Sequence, residues 1–207
     1  MAKGSNFERE VSKDLSLWLT QGEMQDAVWR TSSSGARATQ RKKNKENKIK
    51  KYDYGDLRPD HDSVNYFFDV FSCELKTGYQ KKSTWTNTKW SFNDLIDSVR
   101  KTTVFELFWE QCSSDAESSK REPILIFRRN NSHKCIAMNQ DIYYTFTKFN
   151  KDKELTYIKL NLCEFKYPII VCNFTSFLNQ TMNIICPKFI NLSIKKIIMK
   201  RITNGKG

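Results

Sequence analysis

The sequence FSCELKTG, residues 71–78, places a Glu and a Lys two positions apart in a run that predicts a β-strand. Side chains alternate between the two faces of a strand, so Glu74 and Lys76 point to the same face. The preceding run YFFDVF is also apolar, and together the two runs predict a central strand over residues 65–76. A buried acid and base must lie in a cleft, form an ion pair, or lose roughly several kcal/mol to desolvation. A plain ion pair at the wetter end of the strand is the alternative to a functional site.

The composition indicates a chain with one main core and an anionic partner. The 207 residues, of which 39% are hydrophobic, suffice for one sizeable domain. The net charge of +12 favours either nucleic acid or an anionic membrane surface as the partner. The segment RATQRKKNKENKIKK, residues 37–51, has eight Lys or Arg and one Glu, so it carries seven of the twelve net charges. Such a run is typical of a solvated loop that attracts phosphate.

The sequence also disfavours several classes of protein. No apolar segment is long and uncharged enough to span a bilayer, and the N-terminal residues lack a signal-peptide core, so we expect no membrane partner and a cytoplasmic location, in a prokaryotic cell or a phage-infected host. The six Cys form no C-x-x-C pair and there are only two His, which argues against a zinc site and against a His-dependent hydrolase. Chemistry would therefore depend on carboxylates, Lys and a metal.

The order of apolar patterns predicts an α/β protein. Along the chain the expected elements are a helix at 6–20, short strands at 27–31 and around 54–58, the strand at 65–76, a helical zone at 93–118, a buried strand in PILIFRR and its hairpin partner in HKCIAM. The connection between the second and third strands is tight, so we expect these two strands to be antiparallel. This order is that of an αβββαβ sandwich, with a central mixed sheet flanked by helices.

The C-terminal third has a looser pattern. TFTKFNKDKELTYIKL predicts a hairpin around NKDKE, and YPIIVCNFTSFLNQ predicts a strand followed by a short helix. The residues after 183 give no clear pattern. We therefore divide the chain into a core, residues 1–139, which contains the basic insertion 37–51, and a β-rich extension, residues 140–207, packed on that core.

A second carboxylate completes a candidate site. Asp56, in YGDL, lies 18 residues before Glu74, and an antiparallel return of that length can bring both carboxylates to one edge of the sheet. Two close carboxylates repel each other unless a cation lies between them, and Mg²⁺ suits a few hard oxygens together with water and phosphate. Lys76 would lie beside this metal, where it can orient a water molecule and help to deprotonate it.

Flanking motifs make this pattern more specific. GD-x(17)-E-L-K follows KGSNFEREV and WRTSSSGA and precedes FWEQCSSDAESSKREPILIF. In this order the motifs resemble the PD-(D/E)XK nuclease superfamily, and most of all its archaeal and phage Holliday junction resolvases, with the best likeness over residues 3–78. The resemblance implies a restriction-endonuclease-like fold and hydrolysis of DNA with Mg²⁺, for which Mn²⁺ can substitute. It also implies a homodimer, because cutting a duplex needs two sites.

The resemblance implies a role for each matching residue. Asp56 and Glu74 match the metal-binding carboxylates, and the Leu75 carbonyl matches the backbone ligand. Lys76 matches the catalytic lysine, and Glu8 matches a helix glutamate that approaches the metal. The residues expected to contact duplex or branched DNA lie in the Ser-rich segment and the basic insertion: Arg30, Ser32, Ser33, Ser34, Arg37, Arg41, Lys42, Lys43 and Lys45.

Other interpretations of these residues and of the whole chain stay open. Glu8 completes an S-x-x-E capping box and could close a helix end instead. Gln111 fits an exposed helix face, and Trp85 and Trp90 could pack in a core or stack on bases. The chain could also be a sequence-specific restriction-type endonuclease, a general phage nuclease, or a basic DNA-binding module whose nuclease fold is inert.

Overall fold

The computed structural model describes residues 3–31, 52, 54–77, 92–97, 102–148, 155–182, 194 and 197. The helices are α1 (Lys3–Leu19), α2 (Asn65–Phe68), α3 (Asp94–Asp97), α4 (Val104–Ser118), α5 (Gln140–Thr147) and α6 (Phe174–Thr181). The strands are β1 (Val28–Arg30), β2 (Leu57–Pro59), β3 (Phe71–Thr77), β4 (Glu122–Arg128), β5 (Lys134–Asn139), β6 (Tyr157–Leu160) and β7 (Ile169–Asn173). Within these ranges no helix is both long and apolar enough to cross a membrane.

A five-stranded mixed sheet forms the centre of the molecule, in the order β3-β4-β5-β7-β6. The pair β3–β4 is parallel, and α4 lies in the connection between these two strands, as a parallel connection requires. The other pairs in this sheet are antiparallel. Strands β1 and β2 form a separate two-stranded antiparallel ribbon. The predicted α/β class, with a mixed sheet flanked by helices, is confirmed.

Helices cover both faces of the sheet, so apolar side chains of the inner strands are buried on both sides. On one face α1, α5 and α6 pack on the sheet through residues that include Phe7, Val11, Leu15, Trp18, Ile142, Phe146, Phe174 and Phe177. On the other face α4 packs through Phe105, Phe108, Trp109 and Cys112. Strand β3 lies at the edge of the sheet, beside α1 and α4.

Two predictions about the region before β3 are wrong. Residues 65–68 form the one-turn helix α2, and the strand begins only at Phe71. The run looked like a strand because Tyr66, Phe67 and Phe68 are consecutive and apolar, but a short helix packed inside the core buries all three. The expected antiparallel pairing of the second and third strands is also wrong, because β2 pairs with β1.

Further along the chain, the predictions have mixed outcomes. The helix at 6–20, the buried strand in PILIFRR, its hairpin partner, and the strand and helix at 169–181 are confirmed to within a few residues. The helical zone at 93–118 is interrupted, because Thr103 caps the start of α4 with its side chain. The hairpin around NKDKE is wrong, because TFT belongs to α5 and β6 pairs with β7, so both β6 and β7 join the central sheet.

Candidate active site

A loop carboxylate is fixed against the free edge of β3. The backbone amide of Asp56 donates to the Cys73 carbonyl at 2.7 Å. In return, the Leu75 amide donates to Oδ2 of Asp56 at 2.8 Å. This close approach requires Gly55, which has a φ of 81° and whose position leaves no room for a Cβ, since that atom would lie 2.6 Å from the Cys73 carbonyl oxygen.

The Asp56 loop is also held from its other side. The Thr31 amide, just after β1, donates to the Asp56 carbonyl at 2.8 Å, and the Thr31 hydroxyl donates to the Gly55 carbonyl at 3.0 Å. The buried guanidinium of Arg121 donates to the Tyr54 carbonyl at 2.9 Å. These bonds connect the loop to the β1–β2 ribbon and to the segment between α4 and β4.

Glu74 and Lys76 are buried on the face of β3 that α4 covers. Glu74 pairs in register with Leu125, and Leu125 packs against the apolar residues of α4. The Lys76 ammonium donates to Oε1 of Glu74. Gln111 on α4 joins them: its Oε1 accepts from Lys76 Nζ at 2.8 Å, and its Nε2 donates to Glu74 Oε1 at 2.8 Å. The predicted placement of Glu74 and Lys76 on one face of a strand is therefore correct.

Burial and nearby negative charges raise the pKa of both carboxyl groups. Burial, and then the charge of Glu74, raise the pKa of Asp56 to about 7, although the Leu75 amide and the Lys76 charge act in the opposite direction. The pKa of Glu74 is also raised, mainly by burial and further by the charges of Asp115 and Glu8, against the opposing effect of Lys76. A cation bound between the two groups would balance their negative charges and lower both pKa values.

Glu8 approaches the same cluster from α1. Its charge contributes to the raised pKa values of both Asp56 and Glu74. Its Oε2 lies 3.5 Å from Nη1 of Arg30, so Arg30, which we expected to contact DNA, is paired with Glu8 in this structure. The capping-box interpretation of Glu8 is wrong, because α1 begins at Lys3 and Ser5 lies inside the helix.

The donor set fits a hard divalent cation. Among the described residues no group of three or more His, Cys, Asp or Glu side chains is arranged to hold a metal ion. Mg²⁺, however, is usually held by one or two carboxylates together with water and substrate phosphate, and Asp56 and Glu74 could supply the two carboxylates. The Leu75 carbonyl lies on the same side of β3 as the Leu75 amide that faces Asp56, so it can supply a third oxygen.

The structure brings some of the predicted residues together and leaves others undescribed. Glu8, Asp56, Glu74, Leu75 and Lys76 lie in one cluster. The remaining predicted DNA contacts, from Ser32 to Lys45, lie outside the described residues, as do Trp85 and Trp90.

Gln111 is exposed on α4, as expected, but its side-chain amide also contacts Glu74 and Lys76, and this contact was not predicted. The available signal was its position next to the buried Cys112 and three residues after the buried Phe108, at the border of the apolar face of α4.

Comparison with known proteins supports the predicted superfamily. Neither a curated protein nor a solved structure matches the chain at a significant level. A family model described as "Phage putative PDDEXK endonuclease" matches residues 1–186, which is most of the chain and includes every residue of the cluster. The chain therefore belongs to this phage family of PD-(D/E)XK endonucleases.

Proposed function

We propose that this protein is a metal-dependent endonuclease that hydrolyses DNA phosphodiester bonds at Asp56, Glu74 and Lys76. The observation that carries the proposal is the hydrogen bond from the Leu75 amide to Asp56, which holds a loop carboxylate beside the strand that presents Glu74 and Lys76. A buried acid pair with one ammonium is costly for a structural role alone. At a site that binds a cation and an anionic phosphate, the charges of these ligands would compensate the cost of burying the three groups.

In this proposal Asp56, Glu74 and the Leu75 carbonyl hold Mg²⁺, Mn²⁺ can replace it, and Glu8 approaches from α1. When bound, the metal would polarise the phosphate and lower the pKa of a bound water. The raised pKa of Asp56, about 7, supports this part of the proposal. Without a metal, ionisation of both carboxyl groups is unfavourable, and a divalent cation would balance the two negative charges.

Lys76 acts on the water and on the phosphate. Glu74 and Gln111 fix its ammonium group, so that few side-chain rotations remain to be restricted when DNA binds. From that position the ammonium can orient the attacking water and donate to a phosphate oxygen as negative charge develops there. Attack in line with the 3′ oxygen breaks the P–O3′ bond and leaves a 5′-phosphate and a 3′-hydroxyl.

The likeness to Holliday junction resolvases supports branched DNA as the substrate and a homodimer as the active form. Two strands must be cut to resolve a junction or to sever a duplex, and a dimer presents two copies of the site. Because the family is described as a phage family, the proposal places the reaction in the cytoplasm of a phage-infected cell.

A panel of labelled DNA substrates tests the proposal. The wild-type protein and Glu74→Gln are incubated with a four-way junction, a matched duplex and a flap, each with Mg²⁺ and with EDTA. We expect cleavage by the wild type alone, in Mg²⁺ alone, with the junction preferred. Cutting of the matched duplex at fixed sequences would support a restriction-type enzyme instead. Tight binding without cleavage in either Mg²⁺ or Mn²⁺ would overturn the proposal in favour of a non-catalytic DNA-binding protein.

A further inference from the structure

Trp29 differs from the other described tryptophans in its exposure. Trp18 and Trp109 are only 3% and 2% exposed and belong to the two cores, whereas Trp29 is 44% exposed. Within the described part of the chain, the Trp29 ring makes no hydrogen bond and no contact with another aromatic ring. A large aromatic ring thus lies on the surface, and it contacts no other aromatic ring among the residues that the structure describes.

The β1–β2 ribbon places a guanidinium beside this ring. Trp29 pairs in register with Arg58, so both side chains point to the outer face of the ribbon, while Val28 and Leu57 are buried in the core. The Arg58 side chain is 45% exposed, and its Nη2 lies 3.6 Å from Oδ1 of the exposed Asp60. An exposed ion pair of this kind is weak, so a phosphate can compete for Arg58.

The end of the ribbon adjoins the candidate active site through the backbone. Two residues after Trp29, the Thr31 amide bonds the Asp56 carbonyl, and Asp56 directly precedes β2. At roughly 3.3 Å per residue along a strand, the Trp29 position lies about 7 Å from this contact. That distance corresponds to about two stacked nucleotides.

We propose that Trp29 and Arg58 form a stacking contact for an unpaired base next to the cleavage site. The proposal rests on the proposed function, because it takes DNA as the ligand. An aromatic ring can stack on the face of any base, and an adjacent Arg adds attraction to the base and to its phosphate. In a matched duplex the base faces are covered by their neighbours. The substrate class favoured by this contact is therefore DNA with unpaired or unstacked bases near the cut.

Binding measurements in EDTA test this contact without any cleavage. The substrates are a matched duplex, the same duplex with a central run of mismatched bases, and the single strand. Trp29→Ala should weaken binding to the mismatched duplex and to the single strand by roughly 5-fold to 100-fold, and leave binding to the matched duplex unchanged. Trp29→Phe, which keeps a ring, should retain most of the affinity. Tyr144→Ala is the matched control, since Tyr144 is an equally exposed aromatic (45%) on α5, and it should bind all three substrates like the wild type.

Tryptophan fluorescence gives a second readout that does not depend on affinity. DNA with unpaired bases should quench the wild-type emission more than it quenches the emission of Trp29→Phe, and the difference is the contribution of Trp29. Equal quenching in both proteins, or equal loss of affinity for all three substrates in Trp29→Ala, would overturn the proposal. Failure of the proposed hydrolysis would leave these binding results unchanged, so the two proposals can fail separately.

Discussion

The backbone amide of Leu75 donates a hydrogen bond of 2.8 Å to Oδ2 of Asp56. This bond, together with the one from the Asp56 amide to the Cys73 carbonyl, holds the carboxylate of a loop against the edge strand β3. The relative position of Asp56 and Glu74 therefore depends on a close backbone contact. Substitutions that separate the loop from the strand should impair the site more than they impair the rest of the fold.

Gly55→Ala should abolish cleavage. The added Cβ would lie 2.6 Å from the Cys73 carbonyl oxygen, so the loop that carries Asp56 must move away from β3. We expect a single-turnover rate near background and a loss of unfolding free energy of about 1–3 kcal/mol. Gly22→Ala is the control, because Gly22 also has a positive φ, of 93°, but its Cβ would meet only a Met182 side-chain atom at 4.0 Å. Cleavage by Gly55→Ala at the rate of Gly22→Ala would contradict this account of the loop.

Gln111→Ala should lower the rate by roughly 10-fold to 100-fold, the usual effect of removing a residue that orients a catalytic group. Its amide donates to Glu74 and accepts from Lys76, so its loss should raise the pKa of Glu74 further. The acid limb of the pH–rate profile should then move to higher pH. Glu110→Ala, at the neighbouring exposed position of α4, should leave both the rate and the profile unchanged.

Lys76→Ala should reduce the single-turnover rate by ~10²–10⁴ while the protein stays folded. Lys76→Arg keeps the charge but should recover only part of the rate, because a guanidinium cannot take the compact position of an ammonium. Rates and melting temperatures are measured on the same samples. An unchanged rate with a lower melting temperature would identify Lys76 as a structural ion partner of Glu74 instead.

The stability of the metal-free protein should fall as the pH rises from about 4 to about 7. The pKa of Asp56 is about 7 in the folded chain, against an ordinary value of 3.8, so in this interval the folded state binds more protons than the unfolded state. One such group changes the unfolding free energy by up to about 1.4 kcal/mol per pH unit. Denaturation in EDTA across this range should show a smaller fall for Asp56→Asn. The same dependence of unfolding free energy on pH in both proteins would contradict the raised pKa of Asp56.

The ionisation of Asp56 also determines how strongly Mg²⁺ should stabilise the protein at each pH. Mg²⁺ should raise the melting temperature of the wild type more at pH 8 than at pH 5, because only the ionised pair attracts the cation strongly. Asp56→Asn should lose most of this gain. An equal gain in both proteins would indicate that the ion binds elsewhere.

The basic insertion should supply phosphate contacts. Replacement of Lys42, Lys43 and Lys45 with Gln should weaken DNA binding and flatten the plot of log K against log salt by up to about 3 units, at roughly 0.9 per lost contact with duplex DNA. The rate at saturating DNA should stay near that of the wild type. An unchanged salt slope would exclude these lysines from the DNA surface, and a collapse of the saturated rate would place them in the active site.

The sequence sufficed for most of the sheet because β4, β5 and β7 have clear apolar runs. The strand predicted over residues 65–70 was wrong, because the adjacent apolar residues Phe67 and Phe68 belong to a short helix. A one-turn helix is too short to display a helical period, so burial by tertiary packing decided the outcome there. The pairing of β2 with β1 could not be predicted either, because the two strands are separated by 26 residues in the sequence and neither is longer than three residues.

The candidate site was partly predictable in the same way. The alternation of a strand was enough to place Glu74 and Lys76 together, and their relation to Asp56 followed from chain spacing together with the family pattern. The need for Gly55 was not visible, because it arises from contact with a strand that is distant in sequence. The contact of Gln111 depends on how α4 crosses β3, which helical periodicity alone does not specify.

The role of the Asp56 carboxylate in cleavage is tested by comparing Asp56→Asn with Asp60→Asn under single-turnover conditions with saturating DNA and Mg²⁺. Asn at position 56 can still accept the Leu75 hydrogen bond, so the fold and DNA binding should be retained while the charge that a metal needs is lost. Asp60 is an exposed carboxylate four residues further on and serves as the control. We expect cleavage at background level for Asp56→Asn and at the wild-type rate for Asp60→Asn. Cleavage by Asp56→Asn at the wild-type rate would contradict the assignment of this site.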